Sequence, residues 1–183
     1  MNIIGMLFIS MVLAAGLCLA EDIASNSSAN LDTPKDNLPD GFKLLAALPQ
    51  MDPNVNMTGY IEDFYGAKDI GPANASVGIY QWGKPGESYD AKITLIQLID
   101  EESAKSAISN FKSQSTYQRL LAKGLPIFGN ATINGHDTLE IKDIRGDGSI
   151  RYLYLWNTGN IVAFIEGNGD RSKSMELAST TGF

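Results

Sequence analysis

The chain has 183 residues, 44% of them apolar and 19% charged, a balance that fits one globular domain with a real core and excludes an intrinsically disordered chain. Lys and Arg number 14 against 21 Asp and Glu, so the formal charge is −7, and an acidic surface of this kind would repel a phosphate backbone. Nucleic acid is therefore not an expected partner.

Residues 1–20, "MNIIGMLFISMVLAAGLCLA", contain no Lys, Arg, Asp or Glu. An almost unbroken apolar run ends in Cys18-Leu19-Ala20, which places small side chains at −3 and −1 for cleavage before Glu21, as in an export signal. The same run is close to the roughly 17 to 25 residues that span a bilayer, so retention as an N-terminal anchor is the rival reading, and any membrane contact is expected only through this segment. Cys18 is the only cysteine. Lipid attachment there is disfavoured, because Leu17 stands where a lipoprotein signal has Gly, Ala or Ser. Cleavage after Ala20 would leave no cysteine, and so no disulfide, thiolate metal site or Cys nucleophile.

Residues 21–40, "EDIASNSSANLDTPKDNLPD", are rich in Ser, Asn, Asp and Pro and carry few large apolar groups. Such a stretch buries too little surface to offset its conformational entropy, so it reads as a flexible spacer, with a single domain over 41–183. "FKLLAAL" reads as a strand closed by Pro49, residues 57–65 as a short helix, and "KDIGPANAS" as a loop. Strands are expected at about 76–83 and 91–99, joined by the polar turn "KPGESYD".

Asp100 then caps a helix, with Glu101 and Glu102 at the positive end of its dipole. Ala104, Ala107, Ile108 and Phe111 recur at i, i+3, i+4 and i+7 and form one apolar stripe. The helix continues or restarts through Tyr117, Leu120 and Leu121, until Gly124 and Pro126 end it. "GLPIFGNATINGHD" reads as a loop, and strands are expected at about 138–144, 149–156 and 161–166, with "RGDG" and "NTGN" as hairpin turns. Asp170 caps a last helix.

The halves echo one another. "IYQWGKP…AKITLIQLIDEESAKSAI" and "YLYLWNTG…IVAFIEGNGDRSKSMELA" both run strand, turn, strand, Asp cap, helix. The expected fold is α+β: an antiparallel sheet with its helices on one face, built from two hairpin-plus-helix half-repeats.

Few residues offer chemistry. His136 is the only histidine and stands among the turn-formers Asn134, Gly135 and Asp137, which points to an exposed loop rather than a catalytic base. Ser109 and Lys112 match Ser-x-x-Lys, but the Ser-Asp-Asn and Lys-Thr-Gly elements that accompany it in penicillin-binding enzymes are missing. "DIRGDGS" (Asp143, Asp147) and "EGNGD" (Glu166, Asn168, Asp170) offer oxygen ligands without the spacing of a Ca²⁺ loop. No catalytic set, metal ligands or cofactor is therefore assigned. Asn-x-Ser/Thr sequons occur at Asn26, Asn56, Asn74 and Asn130, all in expected loops or the spacer, where a glycan could be accepted.

The best-placed candidates for binding are aromatic. Tyr152, Tyr154 and Trp156 stand at a spacing of two and share a face, echoed by Tyr80 and Trp82. With helices on one face only, this row is either covered by an N-terminal layer or open to a ligand.

The Ser/Asn spacer, "YLYLWNTGNIVAFIEGN" and "DRSKSMELASTTG" resemble secreted or surface-anchored proteins of methanogenic archaea. That resemblance covers about the last third of the chain and implies a location and a fold, with no activity attached. The expected protein is an exported cell-surface or secreted domain that binds an extracellular partner or small ligand through its sheet. The alternatives are an extracellular hydrolase and a structural component of the cell envelope.

Overall fold

The computed structural model describes residues 31–48, 62, 65–66, 71, 73–82 and 89–183. Seven antiparallel strands form one sheet: β1 (Phe42–Leu48), β2 (Asn74–Trp82), β3 (Tyr89–Gln97), β4 (Phe128–Ile133), β5 (His136–Ile144), β6 (Ile150–Thr158) and β7 (Ile161–Glu166), in the order β1-β2-β3-β7-β6-β5-β4. Three helices accompany them among the described residues: α1 (Glu101–Lys112), α2 (Ser115–Ala122) and α3 (Arg171–Ser179). The α+β class and the antiparallel sheet are as the sequence implies. Two meanders, β1–β3 and β4–β7, meet where β3 pairs with β7, and these central strands read Ala-Lys-Ile-Thr-Leu-Ile and Ile-Val-Ala-Phe-Ile because both their faces are covered.

Local chemistry sets the ends of the elements. The Asp100 carboxylate accepts from the Ser103 amide at 2.7 Å, and that of Asp170 from the Lys173 amide at 3.0 Å, so each satisfies a donor that a helix start leaves free. The helix after Asp100 does not run on but restarts: Ser113 closes α1 and Ser115 opens α2. Gly124, at φ +76°, closes α2 with the paired bonds Gly124 N–H to Leu121 O and Leu125 N–H to Leu120 O, the Schellman arrangement. Gly159 and Asn160 alone join β6 to β7, with φ +55° at Gly159, as a two-residue hairpin requires.

Three expectations are corrected. First, the helices do not share a face. Ala104, Ala107 and Phe111 of α1 and Tyr117 of α2 pack with Ile96, Leu153, Leu155, Val162 and Phe164, whereas Leu177 and Ala178 of α3 pack with Ile93, Leu95, Tyr154, Trp156, Ala163 and Ile165 on the opposite face. A two-fold relating antiparallel β3 and β7 would stand normal to the sheet and put both helices on one side, so the helices do not fit the expected hairpin-plus-helix half-repeats.

Second, the spacer expected over 21–40 does not extend through its described half. Leu31 is 1% exposed, Thr33 is buried, and Leu38 packs against the same cluster as α3. The Ser76 hydroxyl donates to the Leu31 carbonyl and the Tyr80 hydroxyl to that of Pro34, so residues 31–40 form an arm laid over β2. Residues 21–30, the N-terminal segment with Cys18, and the sequons Asn26 and Asn56 lie outside the described residues, as does most of the helix expected over 57–65.

Third, the stretch read as the loop "GLPIFGNATINGHD" contains the edge strand β4. Asn134 (φ +51°) and Gly135 (φ +85°) turn it into β5 as a two-residue hairpin, whose mirror-image twist Asn-Gly accommodates. The two described sequons accordingly lie on strands rather than in loops: Asn74 is the first residue of β2 and Asn130 is within β4.

Candidate functional site

Tyr80, Trp82, Tyr152, Tyr154 and Trp156 do share one face of the sheet, as their spacing requires. That face is closed. Tyr80 and Tyr154 are fully buried and Trp156 is 1% exposed, because the arm of residues 31–40 lies over β2 and α3 covers β4, β6 and β7. Burial pushes the Tyr80 hydroxyl up to about 12, an effect that its hydrogen bond with Thr33 partly offsets. Burial, and then the charge of Glu140, likewise raise Tyr154 well above the ordinary tyrosine range; its hydroxyl donates to the Arg171 carbonyl at 3.3 Å. Gly78 makes room for the Tyr80 ring: a Cβ there would stand 2.5 Å from the hydroxyl oxygen. Only Trp82, tilted against Phe42 at 6.3 Å, and Tyr152 remain half-buried. The row is core, and the reading of it as an open platform is overturned for its three most buried members.

The other sequence candidates resolve into structural roles. His136 opens β5 behind the Asn134-Gly135 turn and is half-buried. Ser109 is exposed and its hydroxyl donates to the Lys105 carbonyl at 3.2 Å, while Lys112 lies 5.9 Å from the centre of the Phe128 ring. The Asp147 carboxylate accepts from the Ser149 hydroxyl at 2.7 Å and its amide at 2.9 Å, which holds it below the usual carboxylate range and closes the β5–β6 turn. Glu166 pairs with Lys92 and with Arg151, and the side-chain oxygen of the buried Asn168 accepts from the Asp170 amide at 2.8 Å. No group of three or more His, Cys, Asp or Glu comes together among the described residues.

Two features escape the sequence reading. Glu140, 6% exposed on the α3 side of β5, accepts from Arg171 Nε at 2.7 Å. Arg171 itself is half exposed, so the pair anchors the start of α3 to the sheet. Nothing in the sequence ties these two residues together across 31 positions.

The second is a cleft of about 380 Å³ on the opposite face, between α1 and strands β4, β5 and β6. Ile108 and Lys112 of α1 form one wall; Asn130, Asp137, Leu139, Leu155 and Asn157 form the floor. The register explains the grouping: Asn130 pairs with Leu139 and Leu139 with Leu155, and paired residues in antiparallel strands point the same way. The cleft exists because α1 crosses β6 and β7 while α2 turns away over Phe128, whose ring Tyr117 meets at a tilt of 53° and 5.7 Å between centres. Ala131, Thr138 and Trp156 complete a lining that carries one cation, one carboxylate, two amides and one hydroxyl among apolar residues. That set can hold a ligand by apolar contact and directional hydrogen bonds, and the Thr138 hydroxyl beside Asp137 is committed to the His136 carbonyl at 3.1 Å.

No family model, no curated protein and no solved structure matches this chain. No helix of the described residues is long and apolar enough to cross a membrane.

Proposed function

We propose that this chain is an exported cell-surface or secreted domain that works by binding rather than catalysis, and that its site is the α1–β4–β5–β6 cleft. The cleft carries this reading: it is a concave, mixed polar and apolar site on a sheet whose aromatic face is closed. Export is supported by residues 1–20, which carry no charge and end in small residues. Since Lys112 and Asp137 contribute one charge of each sign, the fitting ligand is a small zwitterionic or neutral molecule with an apolar part. We also take the aromatic-x-Trp ends of β2 and β6, which face the same way, as the trace of a strand-level half-repeat.

The test is protein-observed NMR against a panel of amino acids, short peptides and small sugars. Ligands should shift the signals of Asn130, Asp137 and Asn157, and Leu139→Trp, which fills the floor, should weaken them at least about tenfold, or about 1.4 kcal/mol. Shifts centred on Trp82 and Tyr152, or affinity unchanged in Leu139→Trp, would refute the assignment.

A further inference from the structure

The described sequons, Asn74 and Asn130, have the same chemistry and opposite surroundings. Transfer of a glycan needs the asparagine amide and the hydroxyl two residues on to be presented together. In Asn74-Ala75-Ser76 the hydroxyl is not available: Ser76 is buried, and it donates to the Leu31 carbonyl of the N-terminal arm. Asn74 is itself only partly exposed, and its strand pairs with β3 from its first residue. To release this sequon the arm would have to lift and the strand would have to part.

Asn130-Ala131-Thr132 differs at each point. Asn130 and Thr132 are both exposed, and being two apart in a strand they face the same way. Among the described residues their strand is the sheet edge, paired with β5 alone. The Lys142 amide bonds the Ile127 carbonyl, so along this ladder residues 127, 129, 131 and 133 bond to β5. Phe128, Asn130 and Thr132 direct their backbone groups away from the sheet. An edge strand bonded on one side can peel locally without breaking a central ladder. This edge also lacks the usual guards: "FGNATI" contains no charge and no proline to discourage a second strand from pairing with it.

We propose that Asn130 is an N-glycan acceptor of the folded domain and that Asn74 is not. In the transfer, Asn130 Nδ2 bonds to C1 of the sugar of a lipid-linked oligosaccharide. The bond from C1 to the lipid phosphate oxygen breaks, the lipid phosphate leaves with the electron pair, and the amide gives up one proton. A glycan here caps the outer edge of β4 and stands at the rim of the cleft, since Asn130 lines it.

The experiment uses the purified, folded full chain, an oligosaccharyltransferase and a lipid-linked oligosaccharide, with peptide mapping by mass spectrometry. It requires neither export nor ligand binding, so its failure is distinct from that of the proposed function. The urea-unfolded chain, modified at both Asn74 and Asn130, fixes the reference. With the folded chain, one glycan mass should appear on the peptide carrying Asn130 and none on that carrying Asn74. Asn130→Gln and Thr132→Ala should abolish it, Thr132→Ser should retain it, and Asn74→Gln should leave it unchanged. A folded chain unmodified at Asn130, or modified at Asn74 as readily as at Asn130, would overturn the proposal.

Discussion

Leu31→Ala tests whether the N-terminal arm is part of the fold. Leu31 lies within a stretch whose composition predicts a loose spacer, yet it is 1% exposed and clustered with the core beneath α3. The substitution removes three carbons, each contributing about 0.8 kcal/mol when buried. The cavity left behind adds to this, so the expected cost is about 2 to 5 kcal/mol, the range of large-to-small core changes. Detachment of the arm sets the upper limit. Once the loss exceeds the docking energy of the arm, residues 31–40 come away together and forfeit the bonds from Ser76 to Leu31 and Tyr80 to Pro34, each about 1 kcal/mol net. Guanidinium unfolding would give the number, and amide exchange at residues 31–38 would show whether the arm has lifted. Lys35→Ala is the control: Lys35 and Asp32 are exposed and 3.9 Å apart, and the change should stay within about ±0.5 kcal/mol. A Leu31→Ala variant equally close to the parent, with fast exchange over 31–38 in the parent, would refute the packed arm.

Two further outcomes are expected. Tyr80 titrates near 10 when unfolded and at about 12 when folded, so the stability it confers is fully present below about pH 10 and is lost as pH rises through 12. Unfolding midpoints measured against pH should therefore fall less steeply above pH 10 in Tyr80→Phe, and parallel profiles would show that its hydroxyl is not shielded. Gly167→Ala should destabilise by about 1 to 3 kcal/mol, because its Cβ would meet Ser174 and stand 2.7 Å from the Tyr152 carbonyl oxygen, while Gly146→Ala, with open space around it, should lie within about ±0.5 kcal/mol. Equal melting curves for the two alanine variants would contradict this account.

Much of the sheet is legible because its signals are local. Alternation marks β6, continuous apolar runs mark β3 and β7, and Asp100 and Asp170 mark helix starts by a bond made within three residues. β4 was legible in principle, since Asn134-Gly135 is a strong hairpin signal, but Gly129 and Asn130 inside the strand read as loop composition. The arm was not legible at all. Its anchors are one leucine and two backbone carbonyls, and the groups that bind them, Ser76 and Tyr80, stand 45 and 46 residues away. Candidate sites fared worse for the same reason: large aromatic side chains announce burial as loudly as binding, and the cleft depends on where helices cross.

That crossing is decided by a few residues. Ile96 and Glu166 each stand four residues before a helix cap, and both point to the α1 side of the sheet, where Glu166 pairs across with Leu153. From Ile96 the chain stays on that side: Leu98 is buried in the same cluster and α1 follows directly. From Glu166 it passes to the other side through Gly167, Asn168 and Gly169. Asn168 is buried there, its amide held by the Ser174 hydroxyl at 2.9 Å, and Gly167 fits against α3 only because it has no side chain. The strands that α3 covers, β4, β6 and β7, include two that floor the cleft from the opposite face. On the α1 side, α3 would leave Tyr154 and Trp156 without the cover it gives them. The Gly-Asn-Gly link thus helps make the aromatic row core, while the cleft opens on the other face beside α1, so the face that the sequence nominates for binding and the face that carries the cleft are opposite ones.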